Sequence, residues 1–250
     1  MRATVAADRP ARFRTWAFRR LPLACLAVPA GVAALVGADW SERLAPLPWI
    51  VGLLACGLPH GAADFAISRG RWRGWPLVGV WLAYGTSIVV VAGVFAVAPV
   101  AALAAFIGLS AWHFGHAHAE NSPPTAAGQA VAALARGCVV VAAPLWFWPE
   151  ATAIAAEDLV ALVVPEGPPV PADRVRSLGA MLGLLGCAAL VAEMTAAGLA
   201  ADRLRLLGEV AVIAALGALT HPLFSVGLYF LAWHGWRQME PLAAAVTGAA

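Results

Sequence analysis

The sequence predicts an all-α fold, a polytopic membrane helix bundle of about seven or eight transmembrane helices. Hydrophobic residues make up 62% of the 250 residues, whereas charged residues make up only 12%. The mean hydropathy is +0.79. Long apolar runs recur along the chain, separated by proline, glycine and charged residues. This composition excludes an ordinary soluble domain, in which roughly a quarter of the residues are charged.

Apolar runs predict the transmembrane helices in order. We expect these helices at residues 21–38, 47–67, 76–97, 99–119, 126–148, 177–199, 205–219 and 222–238. The segment 149–164 is different, because Glu150, Glu157 and Asp158 are typical of an amphipathic helix at the membrane surface. The remaining runs then cross the bilayer in alternating directions.

A basic segment precedes the first run and predicts the orientation. It holds Arg2, Arg9, Arg12, Arg14, Arg19 and Arg20. Because positive charge favours the cytoplasmic side, we expect the N-terminus there. The basic segment is long for a signal peptide, so we interpret 21–38 as a retained helix. The predicted organisation is a cytoplasmic tail over 1–20, a single transmembrane domain over 21–240 and a short tail over 241–250, in the inner cell membrane.

Charge and cysteine content exclude other kinds of site. The net charge of +2 is too small to indicate a nucleic-acid surface. The four cysteines stand singly in apolar runs and indicate neither a disulfide nor a thiolate metal site. The sequence contains no Gly-x-Gly-x-x-Gly or Walker pattern, which excludes the common phosphate and dinucleotide loops.

Three histidines lie at nearly the same predicted membrane depth. His60, His113 and His234 each follow the middle of their helix by about one turn, and the three helices run in the same direction. Ionisable groups at membrane depth are costly and tend to face one another or a cavity. We therefore expect these histidines to meet. The alternative is that each one only hydrogen-bonds a neighbouring helix.

Such a cluster is typical of a metal site. Neutral imidazole binds Fe, Zn or Cu, and three or four donors at one level suit these ions. Asp64 follows His60 by four residues on the same helix face, where it could orient His60 or bind the metal itself. The alternative partners of Asp64 are Arg69 and Arg71.

The other histidines differ in how well their positions suit a metal ligand. His116 shares a face with His113 and is a candidate ligand or substrate-site residue, whereas His118 is rotated away towards the helix end. His221 stands thirteen residues before His234, about 20 Å along a helix, so the two cannot share one site on a straight helix.

Aromatic residues accompany the histidines. They form either an aromatic belt at the membrane surface or the lining of a slot for a flat polyene. The candidates for this lining are Phe114, Tyr229, Phe230, Trp233 and Trp236.

Several motifs follow one another along the chain: Gly57-Leu58-Pro59-His60-Gly61-Ala62-Ala63-Asp64, then His113-Phe114-Gly115, then His221-Pro222 leading through Tyr229-Phe230 to Trp233-His234 and Arg237. In identity and order they resemble the Brp/Blh family, the bacteriorhodopsin-related protein and its homologues. These are membrane-embedded β-carotene 15,15'-dioxygenases that supply retinal to microbial rhodopsins.

The resemblance implies a specific chemistry. Non-haem Fe²⁺ would be held by His60, His113 and His234, and with O2 it would split the central double bond of β-carotene into two molecules of all-trans-retinal. A functional link to a microbial rhodopsin is implied as well. The family pattern has a histidine at the position of Gln238, and an acidic residue at position 118. The glutamine at position 238 therefore leaves two expectations. Either Asp64, His116, His221 or water completes the iron centre, or the activity of the protein is altered.

Two alternatives come from other classes of protein. One is a carotenoid- or retinal-binding membrane protein without catalysis, in which Gln238 has removed the iron site. The other is a rhomboid-like intramembrane serine protease, because Gly108-Leu109-Ser110-Ala111 is similar to the rhomboid Gly-x-Ser-Gly and either His221 or His234 could act as the base.

Overall fold

The computed structural model describes residues 20–116, 125–196 and 200–239, and this part of the chain contains helices and no strand. In chain order the helices are α1 (Leu21–Val36), α2 (Asp39–Arg43), α3 (Pro46–Arg71), α4 (Trp75–Val97), α5 (Pro99–His116), α6 (Ala126–Phe147), α7 (Pro149–Ala161), α8 (Ala172–Ala196), α9 (Ala200–Leu219) and α10 (Pro222–Leu228). The chain continues from α10 through a π-helical segment, Tyr229–Gly235, to residue 239. The all-α prediction is confirmed. Residues 1–19 and 241–250 of the two predicted tails lie outside the described ranges, and so does residue 240.

Local sequence signals explain where the helices begin and end. Proline occupies the first turn of α3, α4, α7 and α10, where its missing N–H is no loss. The Thr125 side chain caps α6 by accepting a 3.1 Å hydrogen bond from the Gly128 amide. Gly37 and Gly74 have φ values of 86° and 61°, which lets the chain turn after α1 and before α4.

Four helices in the described part are long and apolar enough to cross a membrane: α3, α4, α6 and α8. Helix α1 is apolar but has only 16 residues, and α7, the predicted surface helix, has 13. The chain is thus compatible with a membrane protein, and the total of seven or eight passes and the cytoplasmic N-terminus stay predictions. Helix α4 exposes nearly all of its apolar side chains, as a lipid-facing helix does.

Helix α6 lies at the centre of the bundle and packs against α5, α8 and α9. Small residues permit close approach: a Cβ on Gly115 of α5 would overlap the Ala133 carbonyl of α6, and one on Gly137 of α6 would overlap the Ala111 carbonyl of α5. The backbones of α5 and α6 are thus in contact at two points, one helical turn apart. This contact fixes the height and rotation of α5 relative to α6.

A buried ion pair adds to the contact between α6 and α8. The Arg136 guanidinium donates to both Glu193 carboxylate oxygens, at 3.1 and 2.7 Å, and to the Ala132 carbonyl at 3.0 Å. The two side chains are only 12% and 9% exposed. The Arg136 charge can be buried here because its two hydrogen bonds to the Glu193 carboxylate compensate for the lost hydration.

A second close crossing joins α3 to the last helix, and both helices have π-helical geometry there. The segments are Leu53–Gly57 and Tyr229–Gly235. Trp49 Nε1 donates a 2.8 Å hydrogen bond to the Leu223 carbonyl, and the Trp49 ring stacks on Phe230 at 5.8 Å. His60 follows the first of these segments and His234 lies within the second, and π-helical turns occur frequently at functional sites.

Candidate functional site

The imidazoles of His113 and His234 are in direct contact. Their Nε2 atoms are 3.1 Å apart, although the residues come from α5 and from the last π-helical segment. The rings are 4.8 Å apart and inclined at 56°. Two neutral imidazoles at this distance share one hydrogen bond, in which one Nε2–H donates to the other ring nitrogen.

His60 faces the same space. A cavity of about 760 Å³ is lined by His60, His113, His116, His234 and Gln238, together with Cys56, Gly57, Leu109, Trp112, Gln129, Phe230, Gly235 and Met239. The predicted meeting of three histidines is therefore realised as a shared cavity, with two of the three in contact.

Asp64 stands beside His60 on α3. The His60 Nε2 atom is 3.6 Å from Asp64 Oδ2, and both side chains are more than half exposed. The two arginines proposed as alternative partners turn elsewhere, since Arg69 lies over the Phe65 ring and Arg71 over the Trp72 ring. Of the two interpretations of Asp64, the contact with His60 is the one that the structure contains.

The aromatic residues divide into two groups around His234. Phe230 lines the cavity, stacked at 6.2 Å from the His234 ring. The second group is not among the cavity-lining residues and consists of Phe114, Tyr229 and Trp233. The Phe114 ring lies edge-on to the His234 ring at 5.2 Å and to the Tyr229 ring at 5.3 Å. Tyr229 and Trp233 are buried. Trp236 is 41% exposed and does not line the cavity.

Trp112 and Gln129 line the cavity but were not among the predicted site residues. A signal for each is present in the sequence. Trp112 precedes His113 in the Ala-Trp-His tripeptide that recurs around His234, and Gln129 is an uncharged polar residue in the first turn of an apolar helix. His118, predicted to face away, lies outside the described residues.

His221 is placed apart from the cavity, at the start of α10. Its backbone N–H donates a 2.9 Å hydrogen bond to Ser41 Oγ, and its ring is 6.3 Å from that of Trp148. Partial burial lowers the pKa of His221, and the nearby Glu42 carboxylate opposes this shift. The protease alternative requires His221 or His234 to act as a base on Ser110. Within the described chain no hydrogen bond joins Ser110 to either histidine.

The donors in the cavity meet the geometry of a metal centre only in part. In the described ranges no group of three His, Cys, Asp or Glu side chains stands close enough together to hold an ion. The pair of His113 and His234 nevertheless fits one: nitrogens about 2.1 Å from a shared ion and at right angles around it lie about 3 Å apart. The buried Nδ1 of His234 has no hydrogen-bond partner among these residues. The pair is suited to two positions of a metal centre.

Comparison with known proteins identifies the family. The family model described as beta-carotene 15,15'-dioxygenase matches residues 51–249, more than three quarters of the chain. No curated protein and no solved structure matches the chain. The match includes His60, His113, His234 and the whole cavity, and it confirms the resemblance found in the sequence motifs. The chain belongs to the beta-carotene 15,15'-dioxygenase family.

Proposed function

We propose that this protein cleaves the central 15,15' double bond of β-carotene with O2, in an Fe²⁺-dependent reaction, and releases two molecules of all-trans-retinal. The observation that carries this proposal is the 3.1 Å contact of His113 with His234, in a cavity shared with His60, in a chain of this family. The carbon–carbon double bond and the O–O bond break, and each carbon receives one oxygen atom. Atoms and electrons therefore balance without a further reductant.

In this proposal His60, His113 and His234 hold the iron. Iron bound by a few imidazoles keeps open positions and supplies the binding and activation of O2. The chain contributes imidazole nitrogens, which bind a metal in their neutral form. Asp64 is proposed to steady the ring of His60 from the adjacent helical turn. Gln238 lines the cavity beside them as a weak fourth position.

The cavity suits a hydrocarbon substrate. Leu109, Trp112 and Phe230 form apolar and aromatic parts of its wall. Carotenoids dissolve in the bilayer, so an enzyme that cuts them benefits from an apolar cavity next to lipid-facing helices. Such a wall also keeps water away from the reacting oxygen. We propose that the retinal released here serves a microbial rhodopsin in the same membrane.

The test is expression of the full chain in bacteria that accumulate β-carotene, followed by assay of the extracted pigments. We expect loss of the orange colour and formation of retinal, and we expect neither when His113→Ala replaces the wild type. Unchanged β-carotene in cells that contain the folded protein would refute cleavage of this substrate. His118→Ala is the matched control, because His118 was predicted to face away from the site.

One observation favours a second candidate function, a carotenoid-binding protein without catalysis. In the described part of the chain, three metal ligands do not come together, and Gln238 is a weaker ligand than imidazole. A binder would purify with bound carotenoid and little iron, whereas the proposed enzyme would bind about one iron per chain. The iron content of the purified protein separates these two candidates.

A further inference from the structure

We propose that the carotenoid enters the cavity sideways from the bilayer, through an opening between α3 and α5, and that Leu109 limits the width of this opening. We call this gap the lateral opening; Gly57 and His60 border it on α3, and Leu109 and Trp112 border it on α5. The inference rests on the proposed function, because it takes a carotenoid as the ligand of the cavity. It adds the route of entry and a residue that controls it.

The exposed part of the cavity wall comes from α3 and α5. Leu109 is 68% exposed although it lines the cavity, and Trp112 and His60 are exposed as well. The wall on the other side lies inside the bundle, where Cys56 and His234 are buried. Wall residues that are also exposed stand where a cavity reaches the surface, so this cavity opens on the side of α3 and α5.

The packing of the helices leaves that side open. Helix α5 is held by its backbone contact with α6 and meets the last helical segment through His113 and His234. Helix α3 crosses the same segment at Trp49 and Phe230. In the described ranges α3 and α5 are not packed against each other, and no residue of α4, which joins them, lines the cavity. Both helices are thus fastened to the bundle but not to one another.

Glycines next to the wall residues face empty space. A Cβ on Gly61 of α3 or on Gly108 of α5 would meet no atom within 4 Å. For a Cβ on Gly57, which lines the cavity, the three nearest atoms all belong to α3 itself, at 3.5 Å or more. In contrast, a Cβ on Gly115 would overlap the backbone of α6. The absence of close neighbours at Gly57 agrees with a gap between α3 and α5.

Apolar side chains continue both borders of the lateral opening. Residues three or four apart share a helix face, so Leu53 lies on the face of Gly57 and Phe106 on the face of Leu109. Both of these side chains are exposed. Helix α3 is one of the helices that are long and apolar enough to cross a membrane. Exposed apolar side chains beside such a helix suit contact with lipid, so a carotenoid dissolved there reaches the cavity without passing through water.

The experiment narrows the lateral opening at Leu109. Full-length Leu109→Trp protein, purified in detergent and kept free of O2 so that bound carotenoid is not cleaved, is mixed rapidly with β-carotene in the same detergent. Quenching of tryptophan fluorescence measures uptake, and transfer of bound β-carotene to excess empty micelles measures release. Leu82→Trp is the matched control, because Leu82 on α4 is 65% exposed and does not line the cavity.

We expect Leu109→Trp to slow uptake and release alike, by about 10-fold each, because both directions cross the same raised barrier. The affinity for β-carotene, which is the ratio of the two rates, and the iron content should stay as in the wild type. Leu82→Trp should match the wild type in every measurement. Leu109→Ala should speed both uptake and release.

Equal rates in Leu109→Trp and Leu82→Trp would overturn the inference. Slower uptake with unchanged release would overturn it as well, because this is the effect of a lost contact with bound carotenoid and not of a narrower entrance. If Leu109→Trp does not fold, Leu109→Ala decides: faster uptake and release support the lateral opening, and unchanged rates refute it.

Failure of the proposed function gives a different result. If β-carotene entered the wild type with the expected dependence on Leu109, but no retinal formed once O2 was admitted, cleavage would be refuted and the route would stand. A wild type that took up no β-carotene would refute both.

Discussion

The Nε2 atoms of His113 and His234 lie 3.1 Å apart, although 121 residues separate the two histidines in the chain. Helix α5 delivers one ring and the π-helical segment after α10 delivers the other. The two rings thus bring one nitrogen each to the same part of the cavity wall. The pair is therefore the most specific feature of the cavity, and the mutational tests of function begin with it.

Replacement of the histidines should remove the metal and the product together. We expect His60→Ala, His113→Ala and His234→Ala to reduce both iron content and retinal formation to background, because each removes one donor. Iron per chain by elemental analysis and retinal by chromatography measure the two effects. His118→Ala should keep most of the activity. Full turnover by His60→Ala would contradict the proposed ligand set.

Asp64 should act on metal affinity and not on stability. Its carboxylate is 3.6 Å from His60 Nε2, and its side chain is 62% exposed. Loss of a group that orients a ligand typically costs about 10- to 100-fold in metal affinity, and we expect Asp64→Asn to fall in this range. Titration of the purified protein with Fe²⁺ measures it. Asp39→Asn, an exposed aspartate on α2, is the control. Equal affinities of the two variants would show that Asp64 has no role in the site.

The contact between α5 and α6 should tolerate no side chain at Gly115. A Cβ there would overlap the Ala133 carbonyl, and a backbone cannot move aside as a side chain does. We expect Gly115→Ala to destabilise the protein by at least about 1–3 kcal/mol, the usual cost of overpacking. It should lower iron occupancy as well, because His113 lies on the same turn.

Gly108 provides the matched control on the same helix. A Cβ at Gly108 meets no atom within 4 Å. Gly108→Ala should therefore keep the stability or raise it slightly, since alanine favours helix by up to about 1 kcal/mol over glycine. Thermal unfolding in detergent compares the two variants. Equal unfolding temperatures would contradict the close contact between α5 and α6.

The ion pair of Arg136 and Glu193 should be sensitive to loss of one partner only. Removal of one partner of a buried ion pair typically costs about 3–5 kcal/mol, which we expect for Arg136→Met and for Glu193→Met. The double replacement should recover much of this loss, because apolar residues of similar size avoid the cost of burying the two charges. Chemical or thermal unfolding measures the cycle.

An exposed pair gives the comparison. Arg176 and Glu150 are 3.7 Å apart, with side chains 53% and 73% exposed. Arg176→Met should change the stability by about 0–1 kcal/mol, as is typical of surface ion pairs. A similar cost for Arg176→Met and Arg136→Met would show that burial does not strengthen the inner pair.

The helices and the family could be predicted from the sequence alone, and a common depth of three histidines stays a prediction. Apolar runs interrupted by proline, glycine and charge predict helices because a bilayer leaves the backbone no other hydrogen-bonding partners. The fixed rise of 1.5 Å per residue then converts sequence position into depth. For this reason His60, His113 and His234 were expected at one level, and His221 was expected about 20 Å away from His234.

Only the tertiary structure decided which side chains meet in the cavity. Depth does not specify the rotation of a helix about its axis or the identity of its neighbours, which depend on packing between distant residues such as Gly115 with Ala133. The π-helical segments, the pairing of Arg136 with Glu193, and the entry of Trp112 and Gln129 into the cavity wall follow from that packing. The sequence by itself determined the helices and the family, whereas packing decided that His113 touches His234 and that His60 faces them across a cavity.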